Sequence, residues 1–291
     1  MGHDDVLLTT ELKHSHFLAD DGETIHVQIS GEVPAIIMLH GWTASHREWS
    51  PFRTQLSAHY RVFTWDARGH GGHRLTQDTP TTVKRLAKDL HNLIERYKIE
   101  APVAVGHSMG ALILWQYIED YGCHPFQKLC FIDQSPKLTT DAEWRYGIYG
   151  DFDCRRSAEF LNRLKEDFAE SVLLLGALGL NNHARLKYQE GSKAIVRARQ
   201  SLKDQDPAPL IACWKSLTEA DYRTTLKRID IPTLLIYGAV SNFYPPETAT
   251  YLQQQIDGAV LHVYDTDHFP HQWERDRFIR DLTEFIENRS L

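Results

Sequence analysis

Several classes of protein are excluded by what this chain of 291 residues lacks. It has four cysteines, Cys123, Cys130, Cys154 and Cys213, none in C-x-x-C spacing. So sparse a set cannot form the disulfide framework of a small secreted domain, and it suits reduced structural thiols in a cytoplasmic setting. The start, M-G-H-D-D-V-L-L-T-T, has acids where a secretory leader would be basic, and no apolar core follows. The longest greasy run, Val172 to Leu180, is about half of what a membrane-spanning helix needs, so no membrane partner is expected. Positive charge is not in excess either: the net charge is -7 and the pI near 6.1, which argues against nucleic acid or an anionic membrane surface as the main partner. There is no G-x-x-x-x-G-K-[ST] loop, no H-E-x-x-H and no G-x-G-x-x-G after the first strand, so no cofactor and no metal are implied.

What is present reads as a soluble α/β protein, 42% hydrophobic and 24% charged. Two alternating stretches, L-K-H-S-H-F-L-A-D and E-T-I-H-V-Q-I-S, predict an opening antiparallel hairpin around D-D-G. Apolar runs at 35–40, 61–66, 102–107, 128–133, 233–238 and 260–265 predict buried parallel strands. Between them, Val83, Leu86, Ala87, Leu90, Leu93, Ile94 and Tyr97 recur at helical spacing and make one apolar stripe. Met109 to Ile118 is apolar nearly all round, as a helix packed deep on a sheet would be, and Phe278, Ile279, Leu282, Phe285 and Ile286 line a last helix. The expected fold is a mostly parallel eight-stranded sheet with helices on both faces, which places its chemistry at the carboxyl ends of the strands. Residues 1–138 and 226–291 form the expected core; 139–225 show helical patterns without a convincing strand and read as an inserted helical cap.

Three segments that meet at that edge carry the chemistry. Ser108 stands in V-G-H-S-M-G, directly after an apolar strand and before an apolar helix, the context that gives G-x-S-x-G its meaning as a nucleophile elbow. His268, in D-T-D-H-F-P after the last strand, is the expected base. A serine hydroxyl is a poor nucleophile at neutral pH, so an imidazole must take its proton and a carboxylate must stabilise the imidazolium. The loop after T-L-L-I-Y-G offers Ser241 and Asn242 and no carboxylate before Glu247. Asp133, at the end of K-L-C-F-I-D, is therefore the expected acid, in the chain order Ser108, Asp133, His268; its alternative role is to cap the turn before Pro136. The N–H groups of Met109 and Trp42 are the candidate oxyanion donors. His40 and His107 are read as supports for their turns, and R-G-H-G-G-H (68–73) as a loop after the strand ending W-D. Trp42 and Trp144 are the candidate substrate contacts; with Val172 to Leu180, Tyr146 and Tyr149 they suggest an apolar or aromatic small-molecule ligand, or else the core of the cap.

L-H-G-W, W-D-A-R-G-H-G, V-G-H-S-M-G and D-H-F-P together resemble the α/β-hydrolase superfamily over roughly residues 20 to 140 and 226 to 289. L-H-G-W-T-A-S-H-R-E-W is similar to its cofactor-free haloperoxidases and arylesterases, which implies hydrolysis of esters or lactones. The acid after the sixth strand and H-F-P at the histidine are similar to the cofactor-independent hydroxyquinolone dioxygenases, which would imply a His-Asp dyad acting on an aromatic substrate. That branch also carries a histidine two residues beyond the tryptophan, where this chain has Ala44. A hydrolase-derived small-molecule binding protein is the third alternative.

Overall fold

In a computed structural model, residues 11–288 are described, so the leader reading of residues 1–10 lies outside them. The opening hairpin is β1 (Lys13–Leu18) and β2 (Thr24–Ser30), followed by β3 (Ala35–Leu39), helix α1 (Ser50–Ser57) and β4 (Arg61–Asp66). Next come α2 (Val83–Tyr97), β5 (Val103–His107), α3 (Met109–Tyr121) and β6 (Lys128–Ile132). Six helices then succeed one another: α4 (Cys154–Glu166), α5 (Phe168–Ala177), α6 (Asn182–Gln189), α7 (Lys193–Lys203), α8 (Pro207–Glu219) and α9 (Arg223–Leu226). The chain ends with β7 (Thr233–Gly238), α10 (Glu247–Gln255), β8 (Val260–Tyr264), α11 (Pro270–Trp273) and α12 (Arg275–Glu287).

The eight strands form one sheet in the order β1-β2-β4-β3-β5-β6-β7-β8. Only the β1–β2 and β2–β4 pairs are antiparallel. Side chains alternate across it with the period of two that a pleated strand imposes. Ile37, Leu39, Phe63, Leu129, Phe131 and Leu235 pack into the larger core with α2 and α3, whereas Ile36, Met38, Val62, Cys130, Ile132 and Leu234 pack against α1 and α12. Helix α2 begins where Thr82 accepts a bond from Arg85 N–H and stops at Lys98 in a left-handed conformation. Its stripe from Val83 to Ile94 is buried, and each large side chain so covered contributes about 1.5–3 kcal/mol. Among the described residues no helix is long and apolar enough to cross a membrane.

Helices α4 to α9 meet the sheet at the carboxyl ends of its strands. Trp42 Nε1 donates to Leu210 O (2.9 Å), Gln205 Nε2 to Thr43 O (3.1 Å) and Asn242 Nδ2 to Gly176 O (3.0 Å). These contacts join the helical stretch to the loops after β3 and β7. In the run from Val172 to Leu180, Leu173 and Leu175 are core, whereas Leu178 and Leu180 are exposed.

R-G-H-G-G-H forms the loop after β4, which a buried ion pair anchors. Arg68 is enclosed and donates to both oxygens of Asp89 on α2 (2.9 Å each) and to Asp21 in the β1–β2 turn (2.7 and 2.9 Å). Removing one partner of such a pair leaves an undercompensated buried charge. Arg68→Met is expected to lower unfolding free energy by about 3–5 kcal/mol in urea titration, since only Arg85 would remain on Asp89.

Candidate active site

Ser108 occupies the junction of β5 and α3 with φ 52° and ψ −118°, a conformation that L-residues rarely adopt. The flanking glycines make that turn possible. A Cβ on Gly106 would lie 2.5 Å from the Gly110 carbonyl carbon, and one on Gly110 would lie 2.3 Å from Leu39 O, so α3 runs directly over the sheet. As the first residue of α3, Met109 has an N–H with no partner inside the helix, and the helix dipole adds partial positive charge there. Across the turn, a Cβ on Gly41 would come within 3.5 Å of Ser108 Cβ, which puts the loop carrying Trp42 against the serine.

His268 and Asp133 are joined. Nδ1 of the buried His268 lies 2.8 Å from Asp133 Oδ1, and since the carboxylate accepts, that nitrogen carries the ring proton. Asp133 is fully enclosed, has φ 42°, and accepts two further bonds, from Gly238 N–H to Oδ2 and from the Ser241 hydroxyl to Oδ1 (2.8 Å each). Burial depresses the His268 pKa below the ordinary histidine value, with Asp133 opposing in part. His268 is tied to the elbow through its main chain, its carbonyl accepting from His107 Nε2 at 3.0 Å. No hydrogen bond joins the Ser108 hydroxyl to the His268 ring.

The other sequence candidates fall in different places. Trp42, in the loop after β3, packs its indole against Trp214 of α8 and Phe168 of α5, with ring centroids 4.5 and 5.9 Å away. Trp144 is buried with Tyr146, Tyr251 and Arg223, and its Nε1 donates to Lys137 O; it touches neither Ser108 nor His268. Glu247 is the exposed first residue of α10, and Asp267 binds Phe269 N–H and Trp273 Nε1, so neither carboxylate engages the histidine. His40 holds its own turn, Nδ1 donating to Gly41 O (2.7 Å) and Nε2 accepting from Ala67 N–H (3.0 Å).

Three features escaped the sequence reading. Ser241, in the loop after β7 that holds no carboxylate before Glu247, donates to Asp133. Phe243 and Phe269 set their rings 4.5 and 5.1 Å from His268 and shield it with apolar surface. Glu48 sits under the elbow against His107 and His271. Only its spacing from L-H-G-W could have drawn attention to it. A cavity of about 540 Å³ opens beside the site, lined by Thr43, Ala44, Glu48, Gln205 and Phe269 among others, but not by Ser108 or His268. Among the described residues, two groups bring three ligand-type atoms within 4.8 Å of one another: Glu48, His107 and His271, all buried or nearly so, and Cys123, His124 and Asp230 near the surface.

A family model for the alpha/beta hydrolase fold matches residues 34–275. The chain belongs to that family. It is 27% identical over 275 residues to 3-oxoadipate enol-lactonase 1 of Acinetobacter baylyi, spanning 92% of this chain and 94% of that protein. It is 27% identical over 268 residues to the pimeloyl-[acyl-carrier protein] methyl ester esterase of Vibrio cholerae, spanning 90% and 97%. Among solved structures, an esterase from Exiguobacterium antarcticum superposes with TM-score 0.82 at 22% identity over 95% of this chain and 100% of that one. A bromoperoxidase from Bacillus anthracis does so with 0.81 at 22% over 94% and 100%.

The close approach of α3 to β3 makes a local test of the elbow. Gly110→Ala must push Leu39 O aside, and overpacking of this kind costs about 1–3 kcal/mol. Thermal unfolding should show that loss, together with lower activity in the protein that remains folded.

Proposed function

We propose that this protein is a serine hydrolase that cleaves a carboxylic ester, lactone or related acyl bond through an acyl-enzyme intermediate. The observation that carries the reading is a serine at a strained strand-to-helix junction beside a histidine already paired with a buried carboxylate. With its proton held on Nδ1 by Asp133, His268 has Nε2 free to accept a proton from Ser108 as the hydroxyl oxygen attacks the acyl carbon. The N–H groups of Met109 and Trp42 receive the oxyanion. The imidazolium then passes its proton to the leaving alcohol, and a water activated by the same histidine releases the acid. The enol-lactonase and methyl ester esterase likenesses support this class of bond.

Residues 139–225 act as a cap over the site. Trp42 from below, Trp214 and Phe168 from the cap, and Phe243 and Phe269 beside His268 favour a small substrate with an apolar or aromatic group. Trp144 serves the packing of its own segment.

Ester hydrolysis on a p-nitrophenyl and naphthyl panel is expected to disappear in Ser108→Ala and His268→Ala with the fold retained by circular dichroism. In Asp133→Asn, kcat should fall about ten-thousandfold, as when a triad carboxylate is made an amide and the wrong tautomer is favoured. Oxygen uptake on hydroxyquinolones that survives Ser108→Ala but not His268→Ala would instead select a dioxygenase.

The pH profile is a separate check. His268 acts when neutral and its pKa lies below the ordinary value, so the acid limb of kcat/KM should be centred below about pH 6.5. An acid limb centred above that value would contradict the assignment.

A further inference from the structure

The serine-hydrolase reading leaves one buried carboxylate of the site without a task. Glu48 stands just beyond the oxyanion loop, and three segments far apart in sequence converge on it. Its Oε2 accepts from Gly41 N–H at 3.0 Å. Its Oε1 lies 2.7 Å from His107 Nδ1 and 3.0 Å from His271 Nε2. Its own carbonyl is held by Gln272 Nε2 at 2.5 Å. All three side chains are nearly or fully enclosed, at 6%, 1% and 0% exposure.

The protons can be assigned from the partners. His107 Nε2 faces the His268 carbonyl, which only accepts, so that nitrogen bears hydrogen. His107 Nδ1 faces a carboxylate oxygen, a contact out of line with the ring N–H direction, so it is an ion pair rather than an aligned hydrogen bond. Burial disfavours the charged form of His107, but Glu48, the His268 carbonyl and Asp133 together outweigh it and raise its pKa above the ordinary histidine value. The same pairing keeps Glu48 ionised despite its burial. His271 donates from Nε2 and stays neutral, its pKa lowered to about 4 by burial, with its ring among Trp49, Phe52 and Phe278.

We propose that Glu48 is a positioning residue that sets the oxyanion loop, the serine elbow and the histidine loop relative to one another through Gly41, His107 and His271. Each of those three segments carries one part of the machinery: Trp42 follows Gly41, Ser108 follows His107, and His268 precedes His271 and is bound by His107. The inference rests on the serine-hydrolase reading. It adds that the second acid works beneath the serine, touching no reacting atom. The His107 ring lies 4.8 Å from that of His268, close enough for charge on it to lower the His268 pKa. The other titratable groups that face His268 are Asp133, Asp267, His271 and Tyr244, and Glu48 binds none but His271.

Glu48→Gln is the test, on the purified full chain with a p-nitrophenyl ester. Misplacing reacting groups by about 1 Å can cost of the order of a hundredfold, so kcat should fall tenfold to a hundredfold, with KM changed far less. Without the Glu48 charge the His107 pKa falls, less positive charge stands beside His268, and the acid limb of kcat/KM should move to higher pH. A purely structural role would not move that limb. A folded variant with parental kcat and an unmoved limb overturns the proposal, as does stoichiometric metal in the parent that is lost with the substitution. Should Glu48→Gln fail to fold, His271→Phe fills the aromatic shelf while removing one arm of the bridge. It should lose kcat, and His271→Gln, which keeps a donor near Nε2, should recover most of it; parental kcat in His271→Phe overturns the proposal. Ser108→Ala run alongside separates the two readings, because hydrolysis surviving there defeats the nucleophile assignment whatever Glu48 does.

Discussion

A carboxylate sealed from water organises the site. Asp133 is fully enclosed, and an ionised group in that position is tolerated only when its lone pairs are filled by donors. Those donors are Gly238 N–H at the end of β7, the Ser241 hydroxyl in the next loop and His268 Nδ1 in the loop after β8. Because two come from the exit of β7 and the third from the loop after β8, satisfying one acid at the end of β6 draws the carboxyl ends of β6, β7 and β8 together. Asp133 and Ser108 both have positive φ at strand exits, and such strain persists only where the surroundings over-determine it.

Five buried histidines crowd this edge, and their bonding separates their duties: His70 gives Nδ1 to Arg68 O. His40 uses both nitrogens on main-chain groups of two loops. His107 lies between Glu48 and the His268 carbonyl, and His271 gives Nε2 to Glu48. His268 spends Nδ1 on Asp133, and its Nε2 has no protein hydrogen bond. A free Nε2 backed by a carboxylate on Nδ1 suits a group that must take and return a proton; His70 also has Nε2 unpaired, but its Nδ1 meets only a main-chain carbonyl. The two buried acids divide similarly: Asp133 orients the proposed base, and Glu48 binds the segments beneath the proposed nucleophile.

The parallel strands were legible because each is an apolar run flanked by turns, and the observed bounds of β3 to β8 lie within a residue of the apolar runs. The pairing of Asp133 with His268 was readable from strand order, since both close strands that end at one rim. Ser241 was not readable as a donor, because a serine in a loop has no signature until the acid it serves is located. Glu48 was hidden for a similar reason: it looks like one more charge in a polar loop, and only the fold brings residues 107 and 271 to it. Trp144 shows the converse. An aromatic in a stretch without strands looks available to a ligand, yet its indole is satisfied by Lys137 O and enclosed by Tyr146 and Tyr251.

By itself the sequence determined the period of each element, the polarity of the sheet and the elbow at Ser108, because these follow from spacing and from glycines that a short stretch of chain either has or lacks. Which carboxylate meets which imidazole, what each indole packs against, and how three loops share one buried acid were decided only by tertiary structure. Those outcomes depend on distances between residues more than a hundred positions apart, such as the 2.8 Å between His268 and Asp133. Burial and hydrogen-bond satisfaction act on groups that are neighbours in space, and a linear pattern does not record who those neighbours are.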